Sequence, residues 1–185
     1  MPSPSAVRGE AVRQRLVAAA VELIPQRGWT AVSTRVLAER AGVTPSVVHY
    51  HFPSVQSVLV EAVLGAMRAV SGGLGPALAA AGTAEAVVEE MVAAVRQYTG
   101  TDPMSLLFVE GYLASTRDDT LRAGIAAVLA ELRGVIADRL RELGVADPDG
   151  TAVVLGAAID GLLVHRAVAP DATPAGVAAV LRRLV

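Results

Sequence analysis

The chain has 185 residues, enough for one or two domains, and its alanine, valine and leucine content with only 3% aromatics suits closely packed helices better than a β-sandwich. It contains no cysteine, which excludes disulfides and thiolate metal sites. The net charge of −2 divides unevenly: residues 1–55 carry six arginines against three glutamates (+3), whereas residues 56–185 carry ten arginines against fifteen acids (−5), the pattern of an anion-facing head on an acidic body.

A first helix is predicted from Val12, Leu16, Ala20, Leu23 and Ile24, which recur at three- and four-residue spacing, with Gly28 closing it and Pro25 loosening its last turn. A short second helix follows Ser33 as N-cap, turns Val36 and Leu37 inward and ends at Gly42. A short third helix starts with Thr44 as N-cap and Pro45 in the first helical position. Ser54 caps a fourth, which the "SGGLGP" segment is expected to end. Thr83 opens a helix to about Tyr98, and Asp102 caps another that begins at Pro103. A long helix is predicted from about Asp118 to Leu143, with Gly144 and "ADPDG" breaking it, then one over about 151–168. "APDATP" ends that one, and 174–184 reads as a short terminal helix. Neither an alternating strand period nor an internal repeat is present, so the chain is all-α with about nine helices. The N-terminal "MPSPSAVRGEAVRQR" lacks the apolar run of a signal peptide, and the longest uncharged interval, 69–84, contains "SGGLGP" and falls short of a membrane span. A cytoplasmic protein without membrane association is expected.

The segment "AERAGVTPSVVHYHF", residues 38–52, crowds two histidines, a tyrosine and a phenylalanine together. On a helix His49 and His51 point about 200° apart, so they cannot share an ion, and the third histidine, His165, lies far along the chain. No nucleophile or carboxylate stands at a catalytic spacing, and no cofactor motif is present; neither enzyme nor cofactor is expected. Two short helices joined through "ERAGVT" instead have the proportions of a helix-turn-helix, whose second helix enters the major groove by its N-terminal end. Gly42 permits the turn and Val43 plugs it from below. Thr44 caps the helix and leaves its first N–H groups for a phosphate, and the small residues at 45–47 permit close approach to the groove. His49, Tyr50 and His51 would then lie against the DNA backbone, while Trp29 and Phe52 are expected in the core and Arg13 and Arg15 on a solvated face.

Residues 16–63, "LVAAAVELIPQRGWTAVSTRVLAERAGVTPSVVHYHFPSVQSVLVEAV", resemble the DNA-binding domain of TetR-family transcriptional regulators. The matching features are the alanine-rich first helix with its closing Gly28, Leu37-Ala38, Ala41-Gly42-Val43, and the ending Tyr50-His51-Phe52. The resemblance implies a three-helix DNA-binding domain over residues 1–53 and a helical effector-binding and dimerisation domain over 54–185. It implies that Ser33 and Thr34 meet phosphate and that Arg35 can reach a base edge, where an arginine–guanine pair is the commonest specific contact. It assigns Thr44, Pro45, Ser46 and Val47 to the reading end of the recognition helix, and His49 and His51 to positions the family fills with tyrosine and histidine. Two departures stand out: Val55 replaces the lysine usual after the His-Phe segment, and Ser46 replaces a glycine.

In the body, "TAVVLGAAIDGLLVHRAV" is apolar almost all round, more than a monomer easily covers. Its Val153 and Val164, with Gly156, Ala157 and Gly161 allowing close approach, are the expected homodimer contact. The scarce large side chains Met91, Tyr98, Met104, Leu107, Phe108 and Tyr112 cluster on two neighbouring helices and are the candidate wall of an effector pocket, with Asp160 and His165 as further polar anchors. The expected partners are therefore a palindromic DNA operator, a second copy of the chain, and a small, largely hydrophobic effector.

Overall fold

The computed structural model describes residues 3–169 and 176–185. Among them the chain is helical throughout: α1 (Pro4–Arg27), α2 (Thr34–Ala41), α3 (Pro45–His51), α4 (Val55–Ala80), α5 (Ala84–Val95), α6 (Pro103–Ser115), α7 (Asp119–Glu142), α8 (Pro148–Val168) and α9 (Val177–Leu181), with 3-10 turns at Trp29–Ala31 and Arg182–Leu184. The all-α expectation holds. The helix starts follow the expected caps in most cases. Ser33 accepts the N–H of Val36, and Thr83 that of Ala86. Ser54 and Ser57 cap α4 reciprocally, each hydroxyl accepting the other residue's N–H at 3.2 and 3.3 Å.

Four boundaries differ from the sequence reading. Helix α4 continues through "SGGLGP" to Ala80 with Pro76 inside it, because Leu74 and the fully buried Leu78 keep packing into a core that outweighs the lost backbone bond. Helix α5 ends at Val95, where Arg96 and Tyr98 turn to shorter bonds onto Ala93 and Val95. Helix α8 begins at Pro148, because Asp147 caps it through the N–H of Gly150 and proline is well placed at the first position. The final helix spans only Val177–Leu181 before its 3-10 turn, and the start expected at 174 lies outside the described residues.

Two compact units form, residues 1–66 with 106–123, and residues 67–105 with 124–185. In the first, α2 and α3 pack on α1. Leu16, Leu23 and Ile24 of α1, Leu37 of α2, Val48 of α3 and Leu59 of α4 are essentially sealed from water, joined by Leu107 and Leu121 from the later segment. Each such side chain contributes about 1.5–3 kcal/mol on burial. Trp29 and Phe52 are buried as expected. The later segment is also tied by polar bonds: the Glu110 carboxylate accepts the Trp29 N–H at 2.8 Å, and the Gln56 amide donates to Asp118 at 2.9 Å.

The second unit packs Leu78, Val87, Val88, Ile136, Leu140 and Leu155 into one core, with Leu181 of α9 against it. Arginines finish its helix ends. Arg139 donates to the Ala81 carbonyl at 2.7 and 3.1 Å, and Arg166 donates to the carbonyls of Val95 and Tyr98 at 2.7 and 3.0 Å. Both supply partners to carbonyls that a helix terminus leaves open.

Candidate nucleic-acid interface and apolar cavity

The turn between α2 and α3 is built by Gly42, which adopts the left-handed conformation (φ 66°, ψ 39°) that costs other residues most. Its N–H reaches the Glu39 carbonyl and the N–H of Val43 reaches back to Ala38 at 3.0 Å, so α2 is closed by hydrogen bonds as it turns. Ser33 sits at the N-cap of α2, with Thr34 and Arg35 in its first turn. Arg35 is exposed and makes no ion pair or hydrogen bond among the described residues.

On α3, Thr44, Pro45 and Ser46 are exposed and Val47 is half-buried, while Val48 behind them is fully buried and anchors the helix. Thr44 departs from expectation. It stands at the N-cap but makes no side-chain cap bond, because its hydroxyl pairs with that of Ser46 at 2.8 Å. The two hydroxyls thus form one exposed polar pair. His49 is exposed, Tyr50 is 84% exposed, and His51 is half-buried with its ring edge-on to Tyr50 at 5.0 Å. An exposed tyrosine of that extent has an aromatic face and a hydroxyl both turned to solvent, suited to van der Waals and hydrogen-bonded contact with a polyanion. All ten residues expected at the DNA interface therefore lie on α2, α3 or their caps; seven are exposed, and Thr34, Val47 and His51 are half-buried.

The arginines of this unit separate into two groups. Arg40 is paired with Glu22 at 2.7 Å and bonded to Gln26 at 3.0 Å. Arg13, expected on a solvated face, is instead half-buried against Glu61, His51 and Phe52. Arg8, Arg15, Arg27 and Arg35 have no such partner among the described residues and keep their charge available.

In the second unit a cavity of about 60 Å³ is lined by Leu74, Met91, Val95, Leu129, Leu132, Arg133, Ile136, Gly156, Ile159 and Asp160. Met91 and Asp160 are the expected effector-site residues that line it. The sequence reading missed the α7 contribution, although Leu129, Leu132 and Ile136 recur at helical spacing. Tyr98, Met104, Phe108 and Tyr112 are half-buried, Leu107 is fully buried, and His165 is exposed. Along α8, Val153, Val154, Val164 and Val168 are 46, 49, 47 and 81% exposed, and Ala157 is exposed with them. Added Cβ atoms at Gly156 and Gly161 would meet nothing within 4 Å. By length and composition alone, α4 and α8 would each suffice to cross a membrane; α4 instead supplies core residues, Leu59 to the first unit and Leu78 to the second.

Sequence and structure comparisons agree with this layout. Residues 16–62 match the family described as "Bacterial regulatory proteins, tetR family", and residues 82–185 match "Tetracyclin repressor-like, C-terminal domain". The HTH-type transcriptional regulator BetI of Rhizobium meliloti (strain 1021) is 31% identical over 175 residues, covering 90% of this chain and 84% of that one. Among solved structures, the regulator SCO7518 from Streptomyces coelicolor A3(2) superposes with a TM-score of 0.80 at 27% identity, over 94% of this chain and 97% of that one. A Saccharomonospora viridis protein solved in complex with choline shares the fold, with a TM-score of 0.71 at 22% identity over 94% and 93% of the two chains.

Proposed function

The chain belongs to the TetR family of helix-turn-helix transcriptional regulators, and from that premise we propose that it is a cytoplasmic repressor which binds a palindromic operator as a homodimer and is released by a small effector. The observation that carries the reading is the exposed surface of α2 and α3. There an unpaired Arg35, the Thr44–Ser46 hydroxyl pair and the outward His49 and Tyr50 are held on a buried scaffold of Leu37, Val48 and Phe52. Arg35 reads a base edge, while Ser33, Thr34, His49, Tyr50 and His51 contact the phosphate backbone. Residues 1–53 serve as the DNA-binding domain and residues 54–185 as the effector-binding and dimerisation domain.

Dimerisation uses the exposed apolar side of α8, with Val153, Ala157 and Val164 meeting their counterparts across a two-fold axis and Gly156 and Gly161 allowing the backbones to approach. A two-fold dimer presents two heads to half-sites about 34–36 Å apart. The effector site is the cavity of the second unit, whose wall holds Met91 and Asp160 of the expected residues. At about 60 Å³ it is far smaller than a small-molecule site of about 300–1,000 Å³, so an effector binds a wider arrangement of the surrounding helices. That difference in affinity between two body conformations is what shifts the equilibrium of the heads. The wall is apolar apart from Arg133 and Asp160, which suits a small, largely hydrophobic effector.

The test is selection of bound fragments from the source genome by the purified chain. The expected result is recovery of palindromic sites whose affinity falls steeply with salt. Recovery of unrelated fragments in proportion to their abundance would refute it.

A further inference from the structure

Helix α3 has seven residues, too few to persist on its own propensity, so something outside it must hold its C-terminal end in place. The buried Val48 holds its middle. At the end, the Arg13 guanidinium of α1 donates to the His51 carbonyl at 3.2 Å and lies over the face of the buried Phe52 ring, 4.1 Å from its centroid. Its other terminal nitrogen is paired with Glu61 of α4. One side chain therefore joins three helices. It satisfies a carbonyl that the end of α3 leaves open, stacks on the residue that terminates α3, and is itself oriented by a carboxylate.

We propose that Arg13 is a positioning residue for DNA recognition: with Glu61 it fixes the C-terminal end of the recognition helix and is not itself a phosphate contact. This rests on the DNA-binding reading above. The guanidinium already faces a carboxylate, a carbonyl and an aromatic ring, whereas Arg8, Arg15, Arg27 and Arg35 of the same unit make no such contacts among the described residues. The planar fork is what reaches the carbonyl and Glu61 together, so charge alone cannot replace it.

The experiment compares the full chain with Arg13→Lys, Arg13→Ala, Glu61→Gln and the Arg13→Ala/Glu61→Gln double variant. It measures affinity for a selected site over a salt series, and amide hydrogen exchange in the free protein. Arg13→Lys and Arg13→Ala should each weaken specific binding about tenfold, within the range for residues sharing one network. The salt slope should stay at the wild-type value, and Glu61→Gln should weaken binding while the double variant is no worse than Arg13→Ala alone. Exchange should quicken at the amides of Val48 and Phe52 in both Arg13 variants. The proposal is overturned if Arg13→Lys binds as well as wild type, if Arg13→Ala lowers the salt slope by about one, or if Glu61→Gln tightens binding by freeing a cation for phosphate. Glu61→Gln keeps the test decisive should an Arg13 variant fail to fold. Absence of sequence-preferring binding by the wild-type chain would instead sink the DNA-binding reading, and the exchange measurement would still decide whether Arg13 holds α3.

Discussion

Arg35 and Arg40 stand five residues apart on one short helix, yet one is unpaired and the other is held by Glu22 and Gln26. Their sequence contexts give no hint of this difference, because the partners of Arg40 come from α1, 14 and 18 residues earlier. Arg13 escaped the sequence reading for the same reason: Glu61 lies 48 residues away. The exposed polar residues of α2 and α3 were legible, since helix phase and turn chemistry are local; which charges are neutralised within the unit is set by tertiary approach. Replacing Arg35 by alanine should cost about 1–3 kcal/mol of discrimination against altered sites, measured by competition, with a smaller loss on random DNA. Equal losses on both would make Arg35 a phosphate contact. Asp118 allows a test of a different kind. The N–H of Leu121 and then the Gln56 amide favour its charged form and hold its pKa below the ordinary aspartate value. A depressed folded pKa contributes stability above the unfolded value, about 3.9, and that contribution is lost as pH falls through the lower folded value. Asp118→Asn should thus lower the melting temperature at pH 7, with the deficit shrinking as the pH falls below about 3.9. A deficit independent of pH would show that the charge is not what matters.

Among the elements, the phase and start of the helices were readable wherever a cap preceded an apolar period, as at Ser33, Ser54 and Thr83. The end of α4 was not, because the apolar contacts of Leu74 and Leu78 that carry it through glycines and a proline arise only after folding. Nor could the sequence show that residues 106–123 join the first compact unit, which depends on the Trp29–Glu110 and Gln56–Asp118 bonds and on the burial of Leu107 and Leu121. Gly100 marks an equally close approach in the second unit. It has φ 85°, and a Cβ there would lie 2.4 Å from the Ala167 nitrogen and 2.8 Å from the Leu163 carbonyl oxygen of α8. Both obstacles are backbone atoms and cannot rotate away. Gly100→Ala should therefore destabilise the chain by about 2–4 kcal/mol in denaturant unfolding. A change below about 0.5 kcal/mol would mean that α8 does not pack as described.

For the whole molecule, the charge asymmetry and the apolar α8 already suggested a DNA-facing head and a dimerising body, and family membership makes the chain a transcriptional regulator rather than an enzyme. The effector cavity was the least legible part. Its wall is assembled from four helices, and only Met91 and Asp160 of the eight expected effector-site residues line the cavity of about 60 Å³. The dimer proposal is open to a direct substitution. Val153→Arg with Val164→Arg places charge in the middle of the exposed α8 stripe, and sedimentation should find monomers that remain folded but bind the operator at least about tenfold more weakly. Persistent dimers would move the interface elsewhere. The central claim, that two heads of one dimer read a palindrome, is tested most directly by footprinting the full chain on a selected genomic site. Two protected half-sites with centres about 34–36 Å apart are expected; a single protected half-site, or no protection at all, would contradict it.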